Sequence, residues 1–220
     1  MITPVHKEQG KSRHPDWGTI YSKVPYQDLP WFLDGLDQDI EVAINLAVDN
    51  KNDIIQPFSH KDLHLLDMGC GDGSQAAALA KQGFSVTGWD ISGDAVTIAQ
   101  NRFPGHNPTF LAKDCVNCPV NETFDVIIDR GLLHVLSTDD ATRYMENIFN
   151  RLNINGVVII KGFAANPTLP QGFGPRGIEL TELESYAHPS FKLERCIKGE
   201  FQGPRKTAPT AWVATYRRTL

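Results

Sequence analysis

Between residues 65 and 80 the chain reads LLDMGCGDGSQAAALA, with glycines at 69, 71 and 73 and carboxylates at Asp67 and Asp72. Alternate glycines let the backbone turn sharply and present its N–H groups to a ligand at the start of the following helix. The stretch holds no Lys or Arg, so the cradle is negative. At about 4 Å a carboxylate attracts a unit cation by roughly 4 kcal/mol at an effective dielectric near 20, and the same term opposes a pyrophosphate. The dinucleotide pattern G-x-G-x-x-G is also broken, because Ser74 occupies its third glycine position. Asp67 and Asp72 therefore suit a ligand that carries cations, while the helix N-terminus can take a carboxylate.

Asp90 closes the next apolar run, seventeen residues beyond Gly73. A carboxylate there can accept from both hydroxyls of a ribose, which would also serve a nicotinamide dinucleotide. Asp114 follows a third short run and can accept from an adenine amino group, with the Cys115 backbone N–H toward a ring nitrogen. Singly, each aspartate reads equally as a turn or cap residue. Together they stand at the C-terminal ends of successive strands, where open α/β sheets bind ligands. Amino acid, sulfonium, ribose and adenine are the groups of S-adenosylmethionine.

His134 lies near the ligand end of the fourth apolar run. It can deprotonate an acceptor, or it can simply pack beside the start of the next helix. Trp17, Tyr26 and Trp31 either close over the site or anchor a surface segment. Cys115 and Cys118 form a lone CxxC with neither a second pair nor a spaced histidine pair, so all four cysteines are expected as reduced thiols. The seven histidines are scattered, and no metal is expected.

These residues need an alternating α/β frame. Strands are expected at 63–68, 84–90, 109–112, 124–129, 156–163, 191–198 and 210–217, and helices at 38–50, 74–81, from Ser92 to Pro104, from a Thr138 cap to about 152, and at 181–186. "FDVIID" and "GVVIIKGF" are nearly continuous apolar runs, as strands covered on both faces should be. Residues 164–177 hold three prolines and three glycines and read as an irregular loop. The expected fold is α/β: a Rossmann-like, seven-stranded, mostly parallel sheet with a C-terminal antiparallel hairpin and helices on both faces. Residues 1–36, polar and rich in aromatics and proline, are expected to form a lid over a domain at 37–220.

The 220 residues carry a net charge of −5, with no basic run longer than Arg217-Arg218, which argues against a nucleic-acid partner. No signal-type h-region and no long apolar run occur, so a cytoplasmic protein with no membrane partner is expected, monomeric or homodimeric.

"LLDMGCGDG", "VTGWDIS", "AKD" and "FDVIIDRGLLHVL" resemble the successive motifs of class I S-adenosylmethionine-dependent methyltransferases over roughly residues 60–162. The resemblance implies backbone contacts to the methionine part from Gly69, Cys70 and Gly71. It implies Asp90 on ribose, Ile91 packed on adenine, Asp114 and Cys115 at the adenine edge, and Asp129 and Arg130 beside the sulfonium. The early Trp, "PWF", "DRGLLHVL" and "PTAWVATYRR" further resemble the thiopurine, halide/thiol and tellurite-resistance group. That likeness implies a small-molecule acceptor such as a thiol, with S-adenosylhomocysteine as product. A thiolate needs no general base, whereas the alternative acceptor, a small hydroxyl or carboxyl metabolite, differs in that need: a hydroxyl requires one. "DRGL" stands where methylases of planar amines carry a (D/N/S)PP(Y/F/W) motif, which argues against such substrates. Two readings of other classes stay open: a nicotinamide-dependent oxidoreductase, and a non-catalytic module that binds adenosylmethionine.

Overall fold

The structure, a computed structural model, describes residues 15–49, 62–165 and 176–220. Seven strands form one sheet: β1 (His64–Met68), β2 (Ser85–Asp90), β3 (Thr109–Ala112), β4 (Phe124–Arg130), β5 (Leu152–Phe163), β6 (Phe191–Glu200) and β7 (Thr210–Arg218). Their order is β3-β2-β1-β4-β5-β7-β6. The first five run parallel, and β7 inserts antiparallel between β5 and β6. This is the expected Rossmann-like arrangement. The strand order reverses between β1 and β4, so the crevice at their C-terminal ends is the ligand position of the fold.

Helices cover both faces. One core gathers Leu66, Met68, Trp89, Ile127 and Val158 against Tyr144, Met145 and Ile148 of α5 (Thr138–Arg151). The opposite core packs Leu65, Val86, Ile128 and Ile159 against α2 (Gln38–Asp49), α3 (Ser74–Lys81) and α4 (Gly93–Arg102). The alanines of α3 let that helix approach the sheet closely: Ala76 and Ala77 are buried. α6 (Leu180–Tyr186) leads into the hairpin. No helix among the described residues is long and apolar enough to cross a membrane.

Three details depart from the sequence reading. α5 is capped by Ser137, whose side chain accepts from the Asp140 N–H at 3.1 Å, so the expected Thr138 is the first helical residue instead. β5 begins at Leu152, four residues before the apolar run. The stretch before α2 contains α1 (Trp17–Lys23), started by Asp16, which accepts from the Thr19 N–H at 3.1 Å. Polar residues and prolines flanking its seven residues hid the helical period. Residues 1–14 of the expected lid, Asn50, and 166–175 of the expected loop lie outside the described residues.

Candidate active site

The glycine loop joins β1 to α3 with Gly69, Gly71 and Gly73 all at positive φ (71°, 53° and 82°), a conformation that side chains resist. Its N–H groups are held by the neighbouring strand. Gly69 and Cys70 both donate to the Trp89 carbonyl (2.8 and 2.9 Å), and Gly71 donates to Asp90 Oδ2 at 2.9 Å. The other Asp90 oxygen accepts from Ser92 N at 2.9 Å. Asp90 thus pins the loop to the start of α4. A Cβ at Gly71 would stand 2.6 Å from the Tyr21 hydroxyl, so this phenol of α1 roofs the cradle.

The charge of the cradle differs from the sequence picture in one respect. Asp72 is neutralised from thirty residues away: Arg102 of α4 forms an ion pair with it, and Ser74 Oγ donates to the same carboxylate at 2.7 Å. The buried carboxylates that keep no ion pair among the described residues are Asp67, Asp90 and Asp129. Asp67 is buried, and its Oδ2 has no hydrogen-bond partner. Burial, with the carboxylates of Asp129, Asp72 and Asp90 nearby, raises its pKa to about 7. A buried polar atom left without a partner costs about 1–3 kcal/mol, so Asp67 is poised to receive a donor.

At the far end, Ile91 is 56% exposed, an apolar side chain standing just past β2. Asp114 accepts from Val116 N at 2.8 Å and from Asn117 Nδ2 at 2.8 Å, and so shapes the turn after β3. Cys115 is buried with its thiol at the Gly69 N–H, and burial pushes its pKa up. Met68 and Asp129 are register partners of β1 and β4, which sets the two strand ends side by side.

Asp129 accepts from Leu132 N (2.7 Å), Leu133 N (2.9 Å) and Tyr144 Oη (3.0 Å), and burial raises its pKa to about 6. It braces the turn after β4. Arg130 spans three segments. Its Nε donates to Asp37 at 2.9 Å, one terminal nitrogen to the Trp31 carbonyl at 3.0 Å, and the other to the Gln202 carbonyl at 2.5 Å. Lys161 of β5, fully buried, completes the cluster through Asp37 (2.5 Å) and Asp39 (2.7 Å). His134 is buried as well. Its Nδ1 accepts from Phe163 N at 3.0 Å, which leaves the proton of the neutral ring on Nε2. Burial and the guanidiniums of Arg130 and Arg176 lower its pKa to about 3.

Trp17 and Trp31 meet edge to face at 5.7 Å, and Trp31 Nε1 donates to the Tyr21 hydroxyl at 3.2 Å. Both thus join the roof of the cradle. Tyr26 stands apart, against Phe32 and with Arg102 4.4 Å from its ring centroid. Sequence reasoning missed Tyr21, Asp37 and Lys161. The signal for Lys161 was present: a cation inside "GVVIIKGF" demands a buried partner. Asp37 and Tyr21 carried none, because their roles depend on contacts 124 and 50 positions away.

Residues 65–156 match the family model described as "Methyltransferase domain". The malonyl-[acyl-carrier protein] O-methyltransferase of Bacillus cereus is 28% identical over 46% of this chain and 38% of its own length, so the match spans well under half of that relative. A Burkholderia thailandensis 1,6-didemethyltoxoflavin-N1-methyltransferase, solved with its substrate and S-adenosylhomocysteine, superposes with a TM-score of 0.70 at 20% identity, covering 99% of this chain and 94% of that one. The Synechocystis PCC 6803 magnesium protoporphyrin IX methyltransferase with bound adenosylmethionine gives 0.65 at 18% identity, over 97% and 100%. These likenesses establish the fold.

Proposed function

We propose that this chain, whose residues 65–156 match a methyltransferase domain, is an S-adenosylmethionine-dependent methyltransferase acting on a small-molecule acceptor. One observation carries the reading: the buried, partnerless Oδ2 of Asp67, beside a glycine cradle held by the unpaired charge of Asp90. That donor-hungry, anionic end fits the ammonium of adenosylmethionine, and Asp90 fits its ribose. Ile91 offers an apolar surface to adenine, and the Tyr21 roof shields the cradle from water. When bound, adenosylmethionine supplies an electrophilic methyl group. The chain's own part is to align an acceptor at about 3–3.5 Å and to exclude water. A soft nucleophile such as a thiol is the first reading, supported by the buried, base-poor surroundings of His134. The name of the Bacillus cereus relative keeps an oxygen acceptor as the second. The test is S-adenosylhomocysteine formation across thiols, halides, phenols and carboxylic acids. No product from any of them, with the ligand bound, would leave a non-catalytic binding module.

Binding should depend on pH. A cation needs Asp67 ionised, and its carboxyl titrates at about 7. Affinity for S-adenosylhomocysteine is expected to fall about tenfold from the plateau by one pH unit below that value, and Asp67→Asn should flatten the profile. Calorimetry across pH 5.5–8.5 checks this, and a flat wild-type profile would remove the carboxylate from ammonium binding.

Residues 15–36 bury few side chains, chiefly Tyr21 and Leu29 against Ala95. Their amides are expected to exchange faster than those of the sheet, and to slow when S-adenosylhomocysteine fills the cradle below Tyr21. Equal rates with and without ligand would make this segment a fixed part of the domain.

A further inference from the structure

The buried His134 ring carries its hydrogen-bond donor toward the end of β4. The Phe163 N–H can only donate, so Nδ1 must accept, and the ring carries its proton on Nε2. That nitrogen faces Gly131 at the end of β4, 3.3 Å from where a Cβ there would stand. Gly131 has φ 97°, and the missing side chain leaves room at its backbone for the imidazole edge and for Phe201 Cζ, 2.9 Å from where a Cβ would stand. Phe163 and Phe201 pack against the ring at 4.5 and 5.4 Å, and Phe163 is only half-buried.

The surrounding ionisable groups have other partners. Asp129 receives three donors from the turn and α5. Asp37 and Asp39 are tied to Lys161 and Arg130, and Glu182 to Arg176 and Tyr186. The guanidiniums of Arg130 and Arg176, themselves paired with Asp37 and Glu182, disfavour a proton on the His134 ring. Among the described residues, then, the ring edge offers an N–H, and the carboxylates named around it are already hydrogen-bonded or ion-paired.

We infer that the acceptor is an organic acid already ionised near neutral pH, with a planar body lying on Phe163 and its anionic atom held by His134 Nε2–H. The inference rests on the methyltransferase reading. The acceptor atom forms its bond to the methyl carbon as the carbon–sulfur bond breaks and that electron pair goes to sulfur. Anion and sulfonium cancel, and no proton moves. A thiolate, a phenolate and a carboxylate share this chemistry, whereas an alcohol does not.

The test uses 4-nitrophenol, whose acid and anion absorb differently, titrated with protein and S-adenosylhomocysteine present. Binding of the anion should lower its half-ionisation pH by about one unit, a tenfold preference. His134→Asn keeps an oxygen that can accept from Phe163 N but removes the outer N–H; the shift should vanish while S-adenosylhomocysteine affinity holds. Should that variant fail to fold, His134→Gln, which returns an N–H near the Nε2 position, should retain the shift. A second arm compares turnover of thiophenol, 4-nitrophenol, benzoate and benzyl alcohol. The three acids distinguish the acceptor atom, their pH midpoints should follow each acceptor's own ionisation, and benzyl alcohol should be inert. Binding of the neutral phenol, no binding of the probe to the ligand-loaded protein, an unchanged shift in His134→Asn, or methylation of benzyl alcohol at a rate like the acids' would overturn the inference. If calorimetry on the same samples finds no S-adenosylhomocysteine binding, the methyltransferase reading itself fails.

Discussion

Asp90→Ala is expected to weaken S-adenosylhomocysteine binding by at least about a hundredfold. Hydrogen bonds to a charged acceptor contribute roughly 1.5–3 kcal/mol each, and the carboxylate is proposed to take two from ribose. It also holds the loop through Gly71 N, so its loss frees the glycine cradle as well. The two effects act on the same ligand. Fold stability should change far less, by no more than about 1–2 kcal/mol. Two backbone N–H groups lose their acceptor, but a carboxylate whose pKa burial has raised is no longer enclosed. Calorimetry with thermal melting separates these outcomes, and an affinity within threefold of wild type would remove ribose from Asp90.

The second large effect concerns the fold around the site. Asp37→Ala is expected to destabilise the protein by about 3–5 kcal/mol, the usual cost of stranding a buried partner charge. Lys161 would keep only Asp39, and Arg130 would lose its carboxylate while still bonded to the Trp31 and Gln202 carbonyls. Adding Lys161→Met should recover part of the loss, since an apolar side chain of similar length fills the same space without needing an anion. Urea denaturation of the single and double variants measures both. A loss under about 1 kcal/mol in Asp37→Ala would mean that Lys161 and Arg130 find other partners at no cost.

The parallel sheet was legible because its determinants are local. Apolar runs such as FDVIID have one way to be buried, and the G-x-G-x-G turn between strand and helix has few backbone solutions. The boundaries of α3 and β3 agree with the sequence reading for that reason. What stayed hidden depends on long-range pairing. The loop reads as doubly acidic until Arg102 is seen to cancel Asp72 across the α3–α4 groove. Its negative end survives through Asp67 and Asp90, for which sequence supplied residue types but not partners. His134 was read as either base or packing residue. Its role turns on which ring nitrogen meets Phe163 N, and strand spacing carries no information on a tautomer. The N-terminal aromatics divide likewise: Trp31 reaches Tyr21 over the cradle and Tyr26 turns to Arg102, although only four residues lie between them in sequence.

The central claim is that the acidic glycine cradle takes S-adenosylmethionine rather than a pyrophosphate cofactor. The most direct measurement is calorimetric titration of the protein at pH 8 with S-adenosylhomocysteine and, separately, with NAD. The account predicts saturable binding of S-adenosylhomocysteine at one site per chain, lost in Asp90→Ala, and no heat with NAD. Binding of NAD, or no binding of S-adenosylhomocysteine by the folded protein, would contradict it.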